Sequence, residues 1–248
     1  MKVSIITVAY NSAETIKDTI ESVLSQKGVE LEYIIVDGAS TDNTLQIIKS
    51  FGDQVQQLVS EPDQGIYDAM NKGVALATGD IIGILNSDDF YADDEVLQAV
   101  VKKFRGDTMG VYADLVYVDQ QDTTKVKRTW ISGDYVPGSF VKGWMPPHPT
   151  FFVKREVYEK FGAYTLELKS AADYEFMLRS IHKHKIPIKY LSKIIVKMRV
   201  GGKSNVSIGN RLKANKEDRR AWEMNGLKAS KLTFIRKPIS KIGQFIKR

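Results

Sequence analysis

Four short polar runs, each directly following an apolar run, carry the residue types most suited to chemistry in this 248-residue chain. They are Thr7-Val8-Ala9-Tyr10-Asn11, Asp37-Gly38-Ala39-Ser40-Thr41-Asp42, Glu61-Pro62-Asp63-Gln64-Gly65 and Asn86-Ser87-Asp88-Asp89. Carboxylates, amides and hydroxyls in this pattern suit a nucleotide, and carboxylate oxygens suit Mg²⁺ or Mn²⁺. Any single run has a plainer explanation, because Asp and Ser after a strand accept bonds from free helix amides. Ser40, Thr41 and Asp42 are read here as such helix caps.

The elements that must position these runs follow from periodicity. Val3–Val8, Tyr33–Val36, Gln57–Val59 and Ile81–Leu85 are β-rich and apolar on both sides, while 13–26, 42–51, 66–77 and 93–104 carry helical spacing. Strands of that kind alternating with helices predict a mostly parallel sheet covered on both faces, that is, an α/β fold. Such sheets bind ligands beyond the carboxyl ends of their strands, where all four polar runs would lie. After residue 105 the pattern changes. Gly110–Val118 and Lys125–Trp130 read as antiparallel strands, a Gly/Pro-rich stretch covers 137–149, Phe151–Val153 resumes a strand, and 171–184 is a helix.

Composition narrows the classes. There is no cysteine, which excludes disulfides, thiolate zinc sites and cysteine nucleophiles and fits a reducing compartment. The first ten residues read as a strand rather than a secretion signal, and no apolar run reaches the ~18 residues of a membrane span. The net charge of +6 is uneven: from Lys203 onward 13 Lys/Arg face 3 Asp/Glu, a net of +10, leaving −4 for residues 1–202. A basic tail on an acidic body argues against a nucleic-acid-binding domain and toward an anionic surface.

Six motifs, in order, resemble the family-two glycosyltransferases of the GT-A fold over roughly residues 1–205. They are Ser4–Asn11, Val36–Thr44, Asp63–Gly73, Ala77–Asp80, Leu85–Asp89 and Ala172–Arg179. The resemblance, closest to bacterial enzymes building surface polysaccharides, implies an inverting, metal-dependent transfer from a UDP-sugar. It implies Asp88 as ligand of Mn²⁺ or Mg²⁺ with Asp89 as a second acidic neighbour, and Asn86 departs from the family's acidic first position at the cost of one negative charge. It places Asp37 against the uracil, with Thr7, Tyr10 and Asn11 lining the same pocket and Ser87 in the donor site. Asp68 or Asn71 would face the sugar or ribose and Lys72 a phosphate; four apart on one helix face, Asp68 and Lys72 also suit an exposed ion pair. Asp173 corresponds to the family's general base, although its spacing equally suits an N-cap.

Other residues are weaker candidates. His148, between prolines, could line the acceptor site or touch the diphosphate, and Trp144 and Trp130 could stack on a sugar or pack in the core. His182 and His184 read as solvated, while Arg199 and the segment Gly201-Gly202-Lys203-Ser204 suit a loop closing on the donor. The expected organisation is a catalytic domain at 1–205, with a nucleotide-sugar half at 1–104 and an acceptor half at 105–205, followed by a basic amphipathic helical tail at 206–248. In that tail Ile235, Ile239, Ile242 and Ile246 make a stripe, with Phe234 and Phe245 beside it. It would lie on an anionic membrane at the inner face of the cell, near a glycan or lipid-diphosphate-linked acceptor, or pack on the body or on a second copy in a homodimer. Two other classes compete: a sugar-phosphate nucleotidyltransferase, disfavoured by the absence of glycine from 9–14, and a non-catalytic nucleotide-sugar-binding subunit at the membrane.

Overall fold

The computed structural model describes residues 1–201, 208–229 and 233–234. Lys203, Phe245 and the stripe of Ile235, Ile239, Ile242 and Ile246 lie outside the described residues. Two parallel strands form the centre: β1 (Lys2–Ala9) pairs in full register with β2 (Glu30–Asp37), from Lys2 opposite Glu30 to Ala9 opposite Asp37. Val3, Ile5, Ile6, Tyr33, Ile34, Ile35 and Val36 are all fully buried, which is why both strands read as continuous apolar runs. Each such side chain contributes roughly 1.5–3 kcal/mol by leaving water.

On one flank β3 (Gln57–Ser60) runs parallel to β2, and on the other β4 (Ile81–Ile84) runs parallel to β1. The helices between them are α1 (Ile16–Leu24), α2 (Thr44–Lys49) and α3 (Ile66–Leu76). The strand order reverses at β1, so the crevice of an open α/β sheet falls between the loops after β1 and β4. Helix α3 lies close on β1, since a Cβ at Gly73 would meet the Ile6 side chain at 2.3 Å.

The second half of the chain extends this sheet instead of building another. It contributes β5 (Asp89–Tyr91), β6 (Gly110–Val118), β7 (Val126–Trp130), β8 (Phe152–Lys154) and β9 (Ile188–Arg199). The order is β3-β2-β1-β4-β8-β6-β9-β5, with β7 on the side of β6. The β6–β7, β4–β8 and β6–β8 pairings are antiparallel, as the change of pattern after 105 suggests, but β6 runs parallel to β9. Strand β9 escapes periodicity because Lys189, Lys193 and Lys197 interrupt its apolar residues, and only a part of it is buried. The helices of this half are α4 (Val96–Lys103), α5 (Arg155–Phe161), α6 (Ala172–Met177) and α7 (Ile208–Met224). The single helix expected over 171–184 is α6 followed by a π turn at Leu178–Lys183, where the Ser180 hydroxyl bonds back to the Phe176 carbonyl at 2.7 Å.

Helix α7 packs on α6. Trp222, 2% exposed, donates its indole N–H to the Tyr174 hydroxyl at 2.8 Å, and Asn225 donates to Glu175 at 2.8 Å. Phe234, beside the stripe expected to meet a membrane or to pack on the body, is buried on the protein, with the Arg219 guanidinium 5.2 Å from its ring centre. Among the described residues no helix is long and apolar enough to cross a membrane.

Candidate active site

The loops after β1 and β2 are tied to one another at the carboxyl edge of the sheet. Gly38 N–H donates to the Ala9 carbonyl at 2.8 Å, Asn11 N–H to the Ser40 hydroxyl at 2.8 Å, and Thr41 N–H to Asn11 Oδ1 at 2.9 Å. Asn11 and Ala39 hold positive φ values of 49° and 58°, strained backbone of the sort that collects in ligand-binding loops. Asp37, the last residue of β2, is fully buried and accepts from the Ser60 hydroxyl at 2.7 Å and from both the amide and the hydroxyl of Ser40. Ser40 is therefore not a helix cap: it braces Asp37 against the loop of Asn11. Asp42 does serve the start of α2, accepting from Thr44 N–H at 2.9 Å. The loop after β3 closes on the same place, because a Cβ at Gly38 would lie 2.4 Å from Asp63 Oδ2. Tyr10 is half-exposed beside that contact.

The acidic run is anchored to the first loop. Ser12 and Ser87 hydroxyls share a hydrogen bond of 2.7 Å, and the Ser87 carbonyl accepts from Thr15 at 2.8 Å and Thr19 at 3.0 Å. Asp89 opens β5 and is fully buried, whereas Asp88 beside it is half-buried. Burial pushes the Asp88 carboxyl up, against the counter-pull of Arg199. It pushes Asp89 well up, and the charge of Asp88 adds to that effect. Two carboxylates thus adjoin in a dry setting, and Asn86 Oδ1 and Asp89 Oδ1 are buried without a hydrogen-bond partner among the described residues. Orphaned oxygen acceptors next to acidic groups fit a hard divalent cation. No group of three acidic or histidine side chains among the described residues could hold a metal unaided. Phosphate oxygens of a ligand would have to complete its shell, as is usual for Mg²⁺ at phosphate sites.

The remaining carboxylate of interest is on α6. Asp173 is half-buried in the first turn of that helix, whose N-cap is Ala171, so the N-cap explanation of Asp173 does not hold. Its Oδ1 accepts a hydrogen bond of 3.0 Å from the Tyr67 hydroxyl of α3. Burial, with the Asp173 charge, holds the Tyr67 hydroxyl protonated well above the usual tyrosine range.

Residues 4–166 match the family described as Glycosyl transferase family 2. The chain belongs to this family. A PGL/p-HBAD biosynthesis glycosyltransferase of Mycobacterium bovis (strain BCG / Pasteur 1173P2) is 31% identical over 209 residues, 83% of this chain and 80% of that one. Among solved structures, S. aureus TarS 1-349 in complex with UDP superimposes with a TM-score of 0.66 at 22% identity, covering 100% of this chain and 71% of TarS 1-349. The mannosyltransferase PcManGT from Pyrobaculum calidifontis, in complex with GDP-Man and Mn²⁺, gives a TM-score of 0.66 at 19% identity over 96% of this chain and 68% of its own. The fold is GT-A, and neither a nucleotidyltransferase nor a non-catalytic subunit accounts for the family match.

Within this glycosyltransferase several of the expected ligands have partners in the protein itself. Thr7 is fully buried and shares a 3.0 Å hydrogen bond with the Tyr33 hydroxyl, so it does not line a base pocket; its place in β1 points it into the core. Asn71 spends both ends of its amide on the backbone of Tyr164, donating to the carbonyl and accepting from the N–H at 2.8 Å each. Asp68 accepts from Gln64 N–H at 3.0 Å, securing the entry to α3, and Lys72 lies 2.7 Å from Glu61 and 3.6 Å from Asp68. The ion pair expected between these two residues is present, with a closer one from Lys72 to Glu61.

His148 is buried and shares a 2.8 Å hydrogen bond with the Tyr164 hydroxyl; burial lowers its pKa, against the charge of Asp173. Trp144 is packed among Tyr112, Tyr135 and Phe140 and donates to the Ser132 carbonyl at 2.8 Å, and Trp130 is buried. His182 is wedged between Phe140 and Trp222 rather than solvated, while His184 is exposed and stacks on Phe161 at 4.2 Å. Arg199 ends β9, 6% exposed, and is no loop residue: it donates to the Asp88 carbonyl at 2.9 Å and pairs with Asp18. Beside it opens a polar cleft of about 350 Å³. Tyr67, Ser60 and Asp63 received no separate role from the sequence; the signals available were that Asp63 and Tyr67 lie within the motif Asp63–Gly73 and that Tyr67 stands one helical turn before Asn71.

Proposed function

We propose that this glycosyltransferase moves a hexose or N-acetylhexosamine from a UDP-sugar to a sugar hydroxyl by a single displacement that inverts the anomeric carbon. The acceptor oxygen attacks that carbon, its bond to the diphosphate oxygen breaks, Asp173 takes the hydroxyl proton, and UDP leaves. Residues 1–104 hold the donor, with Asp37 toward the uracil and Tyr10, Asn11 and Asn86 around the nucleotide, and residues 105–205 form the acceptor side. Asp88, with Asn86 Oδ1 and Asp89 near it, would hold Mn²⁺ or Mg²⁺. When bound, the cation supplies positive charge against the departing diphosphate.

The observation that carries this reading is the pair of desolvated carboxylates after β4, with orphaned oxygens, at the edge where the loops of Asn11, Asp37 and Asp63 meet. Structural neighbours complexed with UDP, UDP-GlcNAc or GDP-Man with Mn²⁺ support a nucleotide sugar and a divalent ion. A lipid-diphosphate-linked acceptor in surface-polysaccharide synthesis, met at the inner face of the membrane by the basic tail, accords with the net +10 from Lys203 onward.

A nucleotide-release screen over UDP-sugars and GDP-mannose, with Mn²⁺ or Mg²⁺ and a lipid-diphosphate sugar acceptor, tests the proposal. UDP release that chelator abolishes is expected, and Asp173→Asn should retain donor binding while losing transfer. Turnover with GDP-mannose alone would sink the uridine assignment, and chelator-resistant transfer would sink the metal.

A further inference from the structure

We propose that Tyr67 is the positioning residue for Asp173, and that through it helix α3 couples the donor loops to the acceptor-side carboxylate. The inference rests on the reading of Asp173 as the base. The Tyr67 hydroxyl, on a residue only 8% exposed, donates to Asp173 Oδ1 at 3.0 Å. That bond occupies one carboxylate oxygen and leaves Oδ2 to receive the acceptor proton.

Tyr67 is itself held from behind. Its ring stacks on Tyr164 at 5.9 Å, and Tyr164 is fixed at both ends: Asn71 grips its backbone, and its hydroxyl shares hydrogen bonds with His148 Nε2 at 2.8 Å and with Tyr158 at 2.9 Å. Tyr67 and Asn71, four residues apart, thus present one face of α3 to the Asp173 region. Among the described residues the charge of Asp173 bears on Tyr67, Tyr164 and His148, each from a different element. The other end of the linkage is the entry to α3. Gly65, at φ 119°, caps the start of the helix two residues after Asp63, whose carboxylate lies against Gly38, and the Gly65 N–H donates to Asp63 at 2.8 Å. A donor seated on the Gly38–Asp63 contact therefore bears on the helix that aims Asp173.

The test compares Tyr67→Phe, Tyr112→Phe and Asp173→Asn in the full chain. Tyr67→Phe keeps the ring stack and removes only the hydroxyl, and Tyr112→Phe removes a hydroxyl that donates to the Gly133 carbonyl at 2.9 Å, outside the Asp173 linkage. Expected for Tyr67→Phe are a kcat lower by about tenfold or more, with donor KM and melting temperature near wild type, using the donor and acceptor that turn over in the screen above. Hydrogen exchange, which needs no substrate, should be faster over 171–178 in Tyr67→Phe and unchanged there in Tyr112→Phe. Wild-type kcat and exchange in Tyr67→Phe, or equal losses in Tyr112→Phe, overturn the role. Loss of transfer in Asp173→Asn beside wild-type kcat in Tyr67→Phe overturns Tyr67 alone. Wild-type kcat in Asp173→Asn overturns the base itself and the role of Tyr67 with it.

Discussion

Replacing Glu32 with Gln separates the stability of the scaffold from the chemistry of the site. Glu32 is 5% exposed near the amino-terminal end of β2, opposite the edge where Asp37 and Asp88 lie. It accepts from the Lys2 ammonium at 2.7 Å, from Ser4, and from the amide and hydroxyl of Thr78 at 2.8 and 2.6 Å, so one carboxylate joins β1, β2 and the turn before β4. Burial alone would raise this carboxyl, but the bonds from Lys2, Ser4 and Thr78 outweigh it and bring the pKa from 4.5 down to about 2. At about 1.36 kcal/mol per pH unit the difference is worth about 3 kcal/mol of folding free energy. Since the folded value lies below the unfolded one, the contribution is complete above about pH 4.5 and is lost as the pH falls toward 2. Denaturant and thermal melts between pH 7 and pH 2 should therefore show Glu32→Gln less stable at pH 7 by about 3 kcal/mol. That is a fall of roughly 6–12 °C in melting temperature. Its stability should also fall less steeply below pH 4.5, while transfer at a temperature where both proteins are folded stays near wild type. An unchanged melting temperature at pH 7, or an acid slope identical to wild type, would refute the reasoning.

Asp88→Asn is expected to abolish the rise in melting temperature that Mn²⁺ plus UDP gives the wild-type protein and to remove transfer, as read by thermal shift and nucleotide release; an undiminished Mn²⁺ shift would exclude Asp88 as a ligand. Asn71→Ala strands the backbone N–H and carbonyl of Tyr164 and should cost about 1–3 kcal/mol in denaturant melts, with kcat falling further than donor affinity. A donor KM raised with kcat intact would instead return Asn71 to the sugar.

The amino-acid sequence by itself determined the α/β class, the four polar loops at one sheet edge and the family, because strands buried on both faces must be apolar throughout and a helix must alternate with them to cover the sheet. It also marked Asp88 and Asp173, which stand within recognisable motifs. The partners of side chains were decided elsewhere. Tyr67 and Asp173 are 106 positions apart, Asn71 and Tyr164 93, and Arg199 and Asp88 111, distances across which no local period carries information. Thr7 illustrates the same limit at short range: its motif is legible, but whether a strand residue faces ligand or core is set by the sheet that forms over it. The tertiary structure alone gave Asn71, Lys72, His148 and Trp144 their partners within the protein, since a polar group taken out of water must find a partner, and here the nearest partners are the protein's own backbone and side chains.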